Sequence, residues 1–136
     1  MAICAAPSYL AKHGRPAGIE DFEDHDGIVY CRPGHGKRWS VSGPDGHIHY
    51  LRVKARLRLD DVQSIIDAAV SGAGLARLPC WMFARQLRAG ELELVMNSDR
   101  VLATEIHAVW PRALHLPSKT RLAIDALAAE IPTLIG

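Results

Sequence analysis

Apolar and polar positions follow two periods along this chain, and the switches between them mark its elements. Ile3 to Ala6 is a short apolar run stopped by Pro7, which predicts a strand. Ser8 to His13 predicts a short helix, with Ser8 near its N-cap and Gly14 as its stop. Ile28, Val29 and Tyr30 predict a buried strand. Trp39 and Val41 alternate with Ser40 and Ser42, and the Gly43-Pro44-Asp45-Gly46 turn then joins this arm to a second one over His47 to Leu59. In the second arm Arg52, Lys54, Arg56 and Arg58 fall on one face, opposite Leu51, Val53, Ala55, Leu57 and Leu59.

The period then changes. Val62, Ile65, Ile66, Ala69 and Val70 form one helical stripe behind Asp60-Asp61, an N-terminal signal, and Gly72 and Gly74 end it. Leu75 to Leu78 predicts a strand. Pro79, placed at N1, opens a helix over Cys80 to Ala89 that Gly90 closes. Strands are expected over Glu91 to Met96 and Ala103 to Trp110, and a last helix runs from Ser118 until Pro132 limits it. Strands alternating with helices of this length imply an α/β fold with a mostly parallel sheet.

Composition narrows the function classes. The 136 residues fit a single domain, and 49% hydrophobic content excludes wholesale disorder. Sixteen Lys and Arg against fifteen Asp and Glu give a net charge of +1, which argues against binding nucleic acid through the whole chain. Three cysteines without a CxxC pair point to a reducing, cytoplasmic setting rather than a disulfide framework. The start, Met1 to Leu10, lacks the pattern of a signal peptide, and no apolar run is long enough to span a membrane.

The candidate chemistry is thin. His47 and His49 share a strand face without a supporting carboxylate or cysteine in sequence, so they read as a surface pair and no metal site is expected. Cys80 lies between Pro79 and Trp81 and reads as an inert core thiol. Gly34-His35-Gly36-Lys37 is followed by Arg38 rather than Ser or Thr and fails as a phosphate loop; Gly72-Ala73-Gly74 follows a helix and fails as a dinucleotide motif. No GxSxG elbow is present, and nothing demands an enzyme or a cofactor. The acidic residues Glu20, Asp21, Glu23, Asp24 and Asp26 read as a solvated face that partly neutralises the cationic stripe.

From Arg56 to Pro79 a more specific pattern emerges. Arg56-Leu57-Arg58-Leu59-Asp60-Asp61, followed by a helix ending in Ala68-Ala69-Val70-Ser71-Gly72-Ala73-Gly74-Leu75-Ala76-Arg77-Leu78-Pro79, resembles the effector-binding domain of LysR-type transcriptional regulators. Ala6-Pro7-Ser8-Tyr9-Leu10, Trp39-Ser40-Val41, Leu87-Arg88-Ala89-Gly90-Glu91-Leu92 and Ile106-His107-Ala108-Val109-Trp110-Pro111 fit the same family in the same order, from about residue 3 to residue 134.

The resemblance implies a periplasmic-binding-protein-like (type 2) domain of two subdomains joined by crossover strands, with a small effector between them. It assigns residues 8–104 to the second subdomain, 3–7 and 105–111 to the crossovers, and 118–134 to the closing helix of the first. The implied effector contacts are Pro7, Ser8, Leu59, Asp60, Asp61, Ile106 and His107. A helix N-terminus at Asp60-Asp61 favours an anionic effector, although the two carboxylates partly cancel its field. The family's winged helix-turn-helix and the first half of its first subdomain have no counterpart here. A truncated chain is therefore expected, with DNA contacted only through a region it lacks. The exposed apolar face of the last helix predicts a homo-oligomer. A solute-binding protein of the same fold, or a small α/β enzyme using Cys80 or the histidine pair, are the alternatives.

Overall fold

The structure is a computed structural model that describes residues 1–31, 39–43, 45–96, 107–110 and 117–135. The chain divides into two compact units, Met1–Ala103 and Thr104–Gly136.

The first unit is built on a five-stranded sheet. Its strands are β1 (Ala2–Ala5), β2 (Asp26–Tyr30), β5 (Lys54–Leu59), β6 (Leu75–Leu78) and β7 (Glu93–Leu94), in the order β5-β2-β6-β1-β7. β2 runs parallel to both β5 and β6, whereas β1 is antiparallel to β6 and β7. The sheet is thus mixed rather than mostly parallel. All four residues of β1 are buried, as expected of a strand covered on both faces. One face of the sheet carries α2 (Val62–Val70), which sets Ile65, Ile66 and Ala69 against Cys4, Ile28, Ala76 and Leu78. The other face carries α1 (Pro7–His13) and a separate hairpin, β3 (Trp39–Ser42) with β4 (Ile48–Leu51); Tyr9, Leu10, Trp39, Val41 and Leu51 pack there on Ile3, Ala5 and Leu75.

Several boundaries differ from the sequence pattern, each for a local reason. Ser8 lies inside α1, because Pro7 occupies N1, where its missing N–H costs no hydrogen bond, and Ala6 is the N-cap. Gly14, at φ 81°, does stop this helix. The long second arm is two strands in two sheets. Arg52 and Val53 separate them where the chain leaves the hairpin for the edge of the main sheet. The four cations therefore do not share a strand. Lys54 and Arg56 face the acidic segment instead, with Arg56 Nη1 2.9 Å from Asp26 Oδ2 and Lys54 Nζ 3.6 Å from Asp24 Oδ1. The acidic residues thus neutralise part of the stripe, as their charge suggested.

Pro79 precedes a short 3-10 turn, Cys80–Phe83, and α3 (Ala84–Arg88) follows it, so one predicted helix is two pieces. The strand expected over Glu91 to Met96 is confined to Glu93–Leu94. In the second unit, 107–110 is described without strand structure, and the rest of that predicted strand, including Ile106, lies outside the described residues. α4 (Ser118–Ile135) runs through Pro132 rather than ending at it.

Candidate functional site

Strand direction determines which candidate residues meet. β2, β5 and β6 all point their carboxyl ends to one end of the sheet. β1, running the other way, begins there: Ala2 stands opposite Leu78 and Cys4 opposite Ala76. Leu59 ends β5 at this carboxyl end and Asp60 and Asp61 follow it, beside Tyr30 and Cys31, whose N–H donates to Leu59 O at 2.8 Å. Pro79, Cys80 and the exposed Trp81 follow β6. The chain leaves β2 toward β5 on one side and reaches β6 on the other, so the strand order reverses about β2. In open α/β sheets, ligand crevices lie outside the carboxyl ends at such a reversal.

Pro7 and Ser8 are at the opposite end. They follow β1 and lie beside Ser71 to Gly74, just before β6 starts; Gly72 faces Ser8 so closely that a Cβ there would be 3.2 Å from Ser8 Oγ. The length of β5, roughly 17 Å of strand, separates them from Leu59-Asp61. The structure therefore does not gather the expected contact residues of the first unit into one groove. It places Leu59, Asp60 and Asp61 together and sets Pro7 and Ser8 apart, because β1 is antiparallel to its neighbours. His107 is exposed in the second unit, and Ile106 lies outside the described residues.

At the carboxyl end the two aspartates have different roles. Asp61 is the N-cap of α2, and its Oδ2 accepts from Ser64 N and Ser64 Oγ, both at 2.7 Å. These bonds, the hydroxyl's first, hold its carboxyl below the ordinary aspartate range. Asp60 is exposed and makes no side-chain hydrogen bond or ion pair with the described residues. It is the carboxylate available to a ligand at the start of α2. The sequence reading missed Cys31 and Trp81 as neighbours of this edge; the signal was their position just after two strands that end together, Cys31 directly after β2 and Trp81 three residues after β6.

Cys80, the candidate thiol, is half-buried and packs against the core beneath α2. Cys4 is fully buried, and burial, followed by the nearby Cys80, pushes its thiol up to about 12. His47 directly precedes β4, which contains His49. Asp45 serves both: His47 N–H donates to Oδ1 at 3.0 Å, and His49 Nε2 lies 3.1 Å from the same oxygen. Asp45 thus locks the turn through the His47 backbone and the His49 ring, and does not reach the His47 ring. Among the described residues no cluster of three or more metal-ligating side chains forms, and no helix is long and apolar enough to cross a membrane.

The first unit also contains a cleft of about 480 Å³ at the amino end of the parallel strands, lined by Ser8, Lys12, His13, Arg56, Ser71 and Gly72 among others. In the second unit, His107 and Ala108 meet Ile124, Leu127 and Ile131 around an apolar groove of about 410 Å³.

A family model, described as the LysR substrate binding domain, matches residues 1–132. The chain belongs to the LysR substrate-binding domain family. A putative transcriptional regulator of Pseudomonas aeruginosa is 32% identical over all of this chain and 45% of its own length. The HTH-type transcriptional activator AaeR of Escherichia coli is 27% identical over 93% of this chain and 41% of its own. This LysR-family chain thus spans less than half the length of these curated relatives. Among solved structures, the regulatory domain of AphB from Vibrio vulnificus aligns with TM-score 0.67 at 21% identity, covering 95% of this chain and 63% of that one. The LysR-type regulator CrgA of Neisseria meningitidis aligns with TM-score 0.64 at 22% identity, over 75% and 34% of the two chains. These likenesses establish the fold of a LysR regulatory domain, a mixed α/β sheet with helices.

Proposed function

We propose that this chain is the effector-sensing part of a LysR-type regulator, that it performs no catalysis, and that it takes a small anionic effector at the carboxyl edge of β2, β5 and β6. The observation that carries the reading is the reversal of strand order about β2 with the start of α2 beside it. The N–H groups and dipole at the start of a nine-residue helix favour an anion. Asp61 is occupied internally by Ser64, which leaves Asp60 as the polar selector: it accepts a hydrogen bond from a ligand hydroxyl or amide and repels a ligand with charge on that side. Leu59, half-buried beside it, supplies an apolar wall. The longer protein would bind DNA outside this segment, in the cytoplasm and as a homo-oligomer; its relatives are named as HTH-type regulators.

The test is a thermal-shift screen of the chain against small aromatic and aliphatic carboxylates, with matched amines and alcohols. At least one carboxylate is expected to raise the melting temperature in a saturable way, with an altered affinity order in Asp60→Ala. Stabilisation by amines alone, or by no member of the panel, would count against the reading.

A further inference from the structure

The cleft at the amino end of the parallel strands lies far from the carboxyl edge, and its chemistry is of one sign. α1 presents Ser8 and Lys12, four residues apart and hence on one helix face, and β5 presents Arg56 from the opposite wall. No carboxylate lines the cleft. Asp26, the acid that reaches Arg56, bonds Nη1 alone at 2.9 Å, and a guanidinium has five N–H donors. Lys12 Nζ is exposed and has no hydrogen-bond or ion-pair partner among the described residues.

Two helices end here, and bare C-terminal carbonyls would repel an anion. Both ends are capped. Gly72, at φ +80°, turns the chain so that Gly72 N–H donates to Ala69 O and Ala73 N–H to Ala68 O, each at 3.0 Å, while Ser71 Oγ also donates to Ala68 O. On α1, Gly14 N–H donates to Leu10 O, and His13 Nδ1 donates to Tyr9 O at 3.1 Å. Among the described residues, the polar groups left to the cleft include the Ser8 hydroxyl, the Lys12 ammonium, most of the Arg56 guanidinium and the His13 Nε2.

We propose that this cleft is a second ligand site, separate from the carboxyl edge, that binds a phosphate group, either free or carried by a small phosphorylated metabolite. Arg56 provides the fork that matches two phosphate oxygens, Lys12 a point charge, and Ser8 a neutral donor. A dianion gains from two cations where a monocarboxylate gains less. The volume, about 480 Å³, leaves room beyond one phosphate for a small organic group against Leu57 and Ala73.

The test is an amide NMR titration of the chain with sodium phosphate at about pH 8, where the dianion dominates, against sodium acetate at matched ionic strength; glycerol 2-phosphate forms a third arm. Saturable shifts are expected at Ser8, Lys12 and Ser71 to Ala73 with phosphate, and weaker, non-saturating ones with acetate. Tighter binding of glycerol 2-phosphate than of phosphate identifies the esterified form as the occupant, and equal or weaker binding the free ion. Lys12→Gln and Arg56→Gln are each expected to weaken binding at least about fivefold, and Arg85→Gln, an exposed cation on α3, to leave it unchanged. Lys12 is exposed and makes no hydrogen bond or ion pair with the described residues, so its variant stays interpretable if Arg56→Gln loosens β5. Shifts spread over all exposed cations, equal response to acetate, or unaltered affinity in Lys12→Gln would overturn the proposal.

Discussion

At the scale of single residues, hydrogen-bond partners decide what the polar groups do. Asp61 was legible as a cap because it precedes an apolar helical stripe, and its bonds to Ser64 satisfy an N–H that would otherwise be orphaned. Asp61→Ala is expected to lower the melting temperature by about 3–6 °C, and Asp61→Ser to recover most of it; equal melting of all three proteins would contradict the capping role. His25 was not legible at all, since nothing in Glu23-Asp24-His25-Asp26 marks it as interior. It is buried, and its Nδ1 meets the Tyr9 hydroxyl at 3.2 Å. That hydroxyl also accepts from Asp26 N–H at 3.0 Å. Burial first, then His13, lowers the His25 pKa, against the pull of Asp21, Asp24 and Asp26. The unfolded ring therefore takes up its proton at a higher pH than the folded one. The stability this ring contributes is fully present above pH 6.5, the ordinary histidine value, and is lost as pH falls from there through the folded value. Denaturant titrations at a series of pH values should show this loss, and His25→Gln should flatten it; a stability rising toward acid would refute the assignment.

At the scale of elements, periodicity identified α2 and β6 because their apolar residues meet a single core, but it could not separate β4 from β5. Alternation continues unbroken from Leu51 to Leu59, yet Arg52 and Val53 carry the chain from one sheet to another. The reason is tertiary: Val53 packs over Gly27, where a Cβ would fall 2.6 Å from Val53 Cγ2, so β2 draws β5 to its edge. Arg77 then ties the hairpin back to the main sheet through Ser40 O and Oγ at 3.1 and 3.2 Å. The turn from α2 into β6 depends on Gly74, whose φ of +155° and whose 2.6 Å approach to Asp26 O leave no space for a side chain. Gly74→Ala should cost roughly 3 kcal/mol in denaturant unfolding. A cost under about 1 kcal/mol would show that the α2–β6 turn tolerates a Cβ.

At the scale of the whole molecule, the family pattern was readable from motif order alone, because those motifs sit where strands hand over to helices. The grouping of the expected contacts was only partly readable: Leu59, Asp60 and Asp61 do lie together at the start of α2, whereas Pro7 and Ser8 lie apart from them because nothing in the sequence states that β1 runs antiparallel to its neighbours. That one reversal moves the end of β1 to the far side of the sheet, beside the cleft proposed for phosphate and away from the edge proposed for the effector. The most direct measurement is therefore a backbone amide map of the chain with the carboxylate that stabilises it most, at the lowest saturating concentration. The account predicts shifts concentrated at Cys31, at Asp60 to Val62 and at Cys80, around the start of α2. Shifts confined to Ser8 and Ser71 to Ala73, with that edge silent, would contradict it.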